Sequence, residues 1–369
     1  MKKILVIGSG AIGRGYVPWL FDLNKQRIDF VDTNRHIVDA LNTSGSYLSY
    51  MTVNNSYKTK DVIVGKAYHS SDLTPNIIEN YDFLITSVGP RNFLSLAELF
   101  KAVRTPVVCF ENGRDLVTKM RVAANRENIY FGIPDVISSN AKDLALFQGS
   151  DLSLITESGK TFVEQGAGDM HGDITYCSEE EIRKQWAAKL YIHNTPHCIA
   201  AYLGNICGCS YLHEAMQIPK VRDIVVGATY EMQNMVLKDF NLDKEFVEAY
   251  SIKEINRFSN TLLYDPISRV AREPFRKLGL NDRLIGAARK AYVNNISPKN
   301  VLTGIMSAFL FNNKDDSDAI ISYLFDTLDN ESFLSIAIGL SPHSVVTDAL
   351  LQSWDENLVM LQEIKNDFH

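Results

Sequence analysis

Cysteine is scarce in this 369-residue chain: there are five, Cys109, Cys177, Cys198, Cys207 and Cys209. An odd number without CxxC spacing points to neither a disulfide framework nor a zinc ribbon, and a reducing, cytoplasmic setting is expected. Long apolar runs are missing as well. Nothing approaches the roughly 18 residues of a membrane span. The opening MKKILVIGSG resembles a signal peptide only superficially, because glycines and Arg14 interrupt it. There is no basic excess either: 37 Lys and Arg against 44 Asp and Glu give a net charge of −7. That leaves no positive field for nucleic acid. Internal repeats and low-complexity tracts are absent. A chain that is 46% hydrophobic and 22% charged is neither disordered nor collagenous nor a coiled coil. At about 150 residues per domain, the length suggests two domains.

Glycine is plentiful but uneven, with 14 of the 21 at or before position 172. The first half should therefore be turn-rich and sheet-based, and the second mostly helical. Short β-branched runs recur at KILVI (3–7), RIDFV (27–31), DFLITSV (82–88), PVVCF (106–110) and NIYFGI (128–133). Helix-like segments separate several of them, which is the pattern of a parallel sheet with crossover helices. SYLSYMTVNNSYKTKDVIV alternates around an Asn-Asn turn and reads as an inserted hairpin. A further strand pair, DLSLITE and KTFVEQG, leads into GAGDMHGD at 166–173, taken as the domain junction. Beyond it, Ser178 and Glu181 have capping-box spacing before an apolar-periodic segment reaching Leu203. Val221, Ile224, Val225, Ala228, Met232, Met235 and Val236 follow helical spacing.

The first strand runs straight into Gly8-Ser9-Gly10-Ala11-Ile12-Gly13, a GxGxxG at a strand-to-helix turn. Gly8 permits the turn, Gly10 lets the backbone approach a pyrophosphate, and Gly13 lets helix pack on strand. The phosphates would rest on the free N–H groups of the helix start. The second strand ends at Asp32, at the separation expected of an acid that binds the adenosine ribose. Asp32 would repel a 2′-phosphate, so NAD is expected rather than NADP. Arg35 is either a partner for such a phosphate or a solvated helix residue.

The expected architecture is an α/β Rossmann-type domain with a parallel-sheet core over 1–173, followed by a mostly α-helical domain over 174–369. Fold alone leaves the reaction open. The informative segment is Lys189-Leu-Tyr-Ile-His-Asn194-Thr-Pro-His197. At about 100° per residue, Lys189, His197 and Asn194 fall near 0°, 80° and 140°, one broad helix face offering an amine, an imidazole and an amide. Pro196 should break the carbonyl ladder near Ile192. Alcohol oxidation needs a base for the hydroxyl proton and donors for the oxygen as it becomes a carbonyl. Lys189 can be that base if burial and neighbours lower its pKa, and Asn194 and His197 suit the donor role. The bland readings are a solvated lysine and a structural histidine. His193 and His197 also have the i, i+4 spacing of metal ligands, without an HExxH or a thiolate pair.

These three residues match the K-x4-N-x2-H signature of the polyol-specific long-chain dehydrogenases, and the chain resembles the shorter, sugar-phosphate (mannitol 1-phosphate) branch of that family. GSGAIGRGY, SVGP (87–90), CFEN (109–112), KLYIHNTPHCIAAYLG and RVAREPFRKLGLNDRLIG (269–286) are all similar to its motifs. The resemblance implies a metal-independent, NAD-linked oxidoreductase with its site between a Rossmann and a helical domain. It implies Lys189 as general base, with Asn194 and His197 polarising the reacting oxygen. Val88 would lie at the cofactor, and Asn112 and Asp135 at the substrate. Where the family shows VDRI this chain has Pro134-Asp135-Val136-Ile137, so Val136 replaces an arginine. For an acidic substrate end, Arg269 and Lys277 are the family-matched pair and Arg272 comes next; Arg276 and Arg283 stand close by. Their other reading is a surface helix paired with Glu273 and Asp282.

The expected activity is interconversion of a polyol phosphate and a ketose phosphate. The alternatives are a free-polyol dehydrogenase, a fructuronate-type reductase, a metal-dependent dehydrogenase and a non-catalytic NAD-binding sensor. Small molecules are the expected partners, with neither nucleic acid nor membrane, and a monomer or weak homo-oligomer.

Overall fold

A computed structural model describes residues 1–139, 146, 150–312 and 320–368. The chain divides into two compact units, 1–186 and 187–369.

The first unit is built on twelve strands: β1 Lys2–Ile7, β2 Gln26–Asp32, β3 Ser46–Val53, β4 Ser56–Ile63, β5 Ala67–His69, β6 Phe83–Thr86, β7 Val107–Cys109, β8 Ile129–Asp135, β9 Ser138–Ser139, β10 Leu154–Glu157, β11 Lys160–Glu164 and β12 Thr175–Cys177. Eight form one sheet in the order β12-β11-β8-β7-β6-β1-β2-β5. Its pairings are parallel except that β11 runs antiparallel to β8. All five β-branched runs are strands of this sheet. Val107, Val108 and Cys109 of β7 are fully buried, as a strand covered on both faces requires. Ile4 and Val6 join one apolar cluster and Leu5 and Ile7 another, so alternate side chains of β1 feed the two faces.

The inserted hairpin is present as β3 and β4, turning at Asn54 and Asn55 with φ of 48° and 57°. Asparagine tolerates this left-handed conformation, which a two-residue hairpin needs at both positions. The hairpin heads a second sheet, β4-β3-β10-β9. One expectation fails here. DLSLITE and KTFVEQG are both strands but do not pair: β10 joins β3 and β9 in the second sheet, whereas β11 joins β8 and β12 in the first. The two strands of the expected pair are parted by only two residues, yet each finds its partners in a different sheet.

The division after Trp186 lies thirteen residues beyond the expected junction at 173. The intervening chain completes the first unit: β12 extends its sheet, and Ile182 and Trp186 of the helix Glu179–Ala187 pack against its core. Trp186 meets Phe131 edge-on at 5.3 Å. That helix opens with the expected capping box, Ser178 N–H donating to Glu181 Oε2 at 2.7 Å and Glu181 N–H to Ser178 Oγ at 3.3 Å.

In the second unit the described residues are mostly helical. Helix Pro219–Phe240 buries all seven positions of its expected apolar face. Among the described residues no helix is long and apolar enough to cross a membrane.

Candidate active site

In the first unit the glycine turn has the geometry its spacing implies. Gly8 stands at φ +96°, and a Cβ there would come within 2.6 Å of the Ser87 carbonyl oxygen. A Cβ on Gly13 would lie 2.0 Å from the Gly8 carbonyl, so the following turn closes on the strand only without a side chain. A Cβ on Gly10 would meet nothing within 4 Å, which leaves that face of the turn open to a ligand. Ala11 and Ile12 are half-buried beside it. The segment that follows differs from a regular α-helix: Ala11–Tyr16 is π-helical and Val17–Leu20 a 3-10 turn carrying Pro18.

Asp32 ends β2 beside this turn. Its Oδ2 accepts the Ser9 backbone N–H at 3.0 Å and the Ser9 hydroxyl at 2.7 Å, and its Oδ1 accepts Asn34 N–H at 2.9 Å. Arg35 is exposed at the start of the next helix. After β6, the backbone N–H groups of Val88 and Gly89 both donate to the carboxylate of Glu111, each at 2.9 Å. Glu111 is buried, and burial pushes its pKa above the ordinary value despite those bonds. Sequence reasoning chose its neighbour Asn112, which is exposed. The missed signal was an acid directly after a buried apolar strand. Asp135 is buried at the end of β8. Val136 beside it is 5% exposed within an apolar cluster, so the position of the family arginine serves packing here.

In the second unit, Lys189, Asn194 and His197 are all buried, at 6%, 5% and 7% exposure. The break expected from Pro196 takes the form of a π-helical segment, Ala188–Asn194, leading into helix Thr195–Ile206. In a π turn, residues five apart succeed one another along the same face. Lys189 and Asn194, some 140° apart on an ideal α-helix, are closer together around the axis of such a turn. Asn194 Nδ2 is buried and has no hydrogen-bond partner among the described residues. An unpaired buried amide costs free energy, so this donor is suited to a ligand oxygen.

The two histidines are each held by a carboxylate that the sequence pattern did not show. His197 Nε2 meets Asp265 Oδ2 at 2.9 Å, and Asp265 Oδ1 also accepts Arg269 Nε at 2.9 Å and Nη2 at 2.5 Å. Burial lowers the His197 pKa to about 4, while Arg269 and His197 hold Asp265 below its usual range against the opposing effect of burial. The ring is therefore neutral near pH 7, with its proton on Nε2 facing the ionised Asp265. Nδ1 is left as an acceptor. His193 Nδ1 bonds Glu254 Oε2, and Arg257 Nη1 donates to Glu254 Oε1 at 2.5 Å. Burial first, then the Lys189 charge, lower the His193 pKa well below 6.5. Phe258 stacks on His197 at 5.3 Å and 19°.

The basic segment is mostly turned inward. Arg269 belongs to Asp265, and the Lys277 ammonium is buried against the carbonyls of Val270 and Arg272. Arg272 is exposed, its Nε donating to the Arg269 carbonyl at 3.2 Å. Among the described residues no group of three or more His, Cys, Asp or Glu is disposed to hold a metal ion.

A glycine turn open at Gly10 with an acid closing the next strand, in a chain that also holds a buried lysine, asparagine and histidine on one helical stretch, defines the class: a Rossmann-type dehydrogenase. Known proteins narrow it. The Mannitol dehydrogenase Rossmann domain matches residues 2–105, and the Mannitol dehydrogenase C-terminal domain matches residues 181–332. Mannitol-1-phosphate 5-dehydrogenase of Caldanaerobacter subterraneus subsp. tengcongensis is 28% identical over 352 residues, 87% of this chain and 89% of its own. The enzyme of that name from Thermoanaerobacter pseudethanolicus is 28% identical, covering 96% and 98%. Pseudomonas fluorescens mannitol 2-dehydrogenase, solved in ternary complex with NAD and D-mannitol, shares the fold at a TM-score of 0.75 and 14% identity, covering 98% of this chain and 94% of that one. The chain belongs to the mannitol dehydrogenase family, a family of oxidoreductases.

Proposed function

We propose that this protein is an NAD-dependent oxidoreductase that interconverts a polyol phosphate and a ketose phosphate, of the mannitol 1-phosphate and fructose 6-phosphate type. The observation that carries the reading is Asn194 Nδ2, buried without a hydrogen-bond partner among the described residues and standing between Lys189 and His197 in the sequence of one helical stretch. The phosphate in the substrate is supported by relatives at 28% identity that carry the name mannitol-1-phosphate 5-dehydrogenase.

The chain fits the cofactor. The open face at Gly10 accommodates a pyrophosphate, and Asp32 Oδ1, which accepts Asn34 N–H, has a further lone pair for a ribose hydroxyl while Oδ2 is taken up twice by Ser9. The Asp32 charge disfavours a 2′-phosphate, so NAD is preferred. Val88, held by Glu111, belongs to the loop after β6 that would border the cofactor. When bound, NAD⁺ supplies the hydride acceptor. Lys189 takes the hydroxyl proton. Asn194 donates to the substrate oxygen as carbonyl character develops. His197, neutral and fixed by Asp265, accepts from a substrate hydroxyl through Nδ1 and so orients the polyol, a different part from the donor role its type suggested. Asn112 and Asp135 remain substrate contacts by resemblance, together with Arg272; Arg269 and Lys277 act through the groups they hold. No metal is required by this scheme.

Following NADH absorbance with fructose 6-phosphate, fructose and fructuronate tests the reading. The expected result is a clear preference for the phosphorylated ketose, retained after exhaustive chelation. Equal turnover of the free sugar overturns the phosphate, and loss of activity on chelation overturns the metal-free scheme.

A further inference from the structure

Within the basic segment one cation differs from the others. Arg276 bridges Glu273 at 2.7 Å and Asp282 at 3.1 Å, while Arg269 and Lys277 are committed as described above. Arg283 donates through Nε to Asp282 Oδ1 at 2.8 Å and is 6% exposed, yet its Nη2 is buried with no hydrogen-bond partner among the described residues. A guanidinium carries five donors in a fixed fork, and leaving one unpaired in the interior costs more than leaving a neutral donor so.

The position of Arg283 is equally specific. Its backbone carbonyl accepts the Thr195 hydroxyl at 2.6 Å, which docks it on the residue next to Asn194. After burial, the Arg283 charge is the strongest influence on the thiol of Cys198, one helical turn beyond Asn194. Two buried donors without hydrogen-bond partners among the described residues, Asn194 Nδ2 and Arg283 Nη2, therefore belong to residues held at the first turn of the helix Thr195–Ile206. One is neutral and suits an oxygen passing between hydroxyl and carbonyl. The other is cationic and suits an anion.

We infer that Arg283 is the residue that selects the phosphorylated substrate, binding its phosphate through Nη2 while Asn194 holds the reacting oxygen. This rests on the polyol phosphate reading above. Asp282 fixes the fork through Nε and leaves the second edge for the ligand, an arrangement that planar guanidinium supports and lysine does not reproduce. A purely structural Arg283, serving only to hold Asp282, would affect free and phosphorylated sugars alike.

The test compares wild type, Arg283→Gln and Arg283→Lys with fructose 6-phosphate and fructose under NADH, alongside NADH binding and thermal unfolding of each protein. A charge-assisted bond of this kind corresponds to a fall in kcat/KM for fructose 6-phosphate of roughly tenfold to a hundredfold. The fall is expected in KM more than in kcat, with turnover of fructose unchanged. Arg283→Lys, which keeps the charge, carries the test if the glutamine variant does not fold. A phosphate preference that survives in every folded variant, or an equal loss with both sugars, overturns the assignment alone. A wild-type enzyme without phosphate preference overturns the polyol phosphate reading, and the assignment with it.

Discussion

At the scale of single residues, each working side chain has its state set by a neighbour. Asp265 decides which nitrogen of His197 bears the proton, and Arg269 keeps Asp265 ionised. Arg269 attracted notice as an anion ligand, yet its guanidinium is spent on that carboxylate. Asn194 is the exception, its Nδ2 lacking a hydrogen-bond partner among the described residues. Removing a donor that strengthens only as charge develops on oxygen lowers kcat by about a hundredfold to a thousandfold. Asn194→Ala is therefore expected to lose activity by that factor with NADH affinity unchanged, as steady-state kinetics and fluorescence titration would show. Lys189→Ala should abolish hydride transfer with NADH binding intact. Full activity in either variant would remove the mechanism.

At the scale of elements, the glycine turn and the π-helical segment show what local pattern can and cannot convey. The turn was legible because the GxGxxG spacing is local: Gly8 and Gly13 answer steric demands, and Gly10 leaves open the face that a pyrophosphate needs. That gives a contrast between two substitutions. Gly10→Ala places its Cβ in open space, so stability should change by less than about 0.5 kcal/mol while NADH binding weakens. Gly13→Ala drives a Cβ into the Gly8 carbonyl and should cost about 1–3 kcal/mol or more. Thermal unfolding separates the two, and normal NADH affinity in Gly10→Ala would argue against a pyrophosphate there. The helical site was legible only in part. A wheel of about 100° per residue spreads Lys189, His197 and Asn194 over one broad face some 140° wide, and proline marks a break in it without stating its geometry. Glu254 and Asp265, 61 and 68 residues from the histidines they hold, leave no local trace at all. The same limit explains β10 and β11, whose strand character is local and whose pairing is not.

At the scale of the whole molecule, the two units carry buried titratable groups of opposite consequence. In the second unit, His193 and His197 are buried neutral, with folded pKa values below the 6.5 of an unfolded histidine. Above pH 6.5 both rings are neutral in both states and contribute no pH dependence. As the pH falls below 6.5 the unfolded chain takes up protons that the folded chain refuses, so stability declines, levelling for His197 only near its folded value of about 4. That interval corresponds to about 3 kcal/mol for one ring. His193 adds a loss of the same sign. Asp265, depressed below 3.8, keeps its contribution through this window, and Glu231, raised by burial, offsets part of the loss. In the first unit, Glu111 has a raised folded pKa, so protonating it favours the folded state as the pH falls. Native-state hydrogen exchange between pH 7 and pH 4 should then show amides of 187–368 losing protection well before those of the β1–β2–β6–β7 sheet. His197→Phe, which removes the ring's titration, should flatten that loss. Simultaneous loss of protection in both units, or an unchanged slope in the variant, would mean that the buried imidazoles do not govern acid stability.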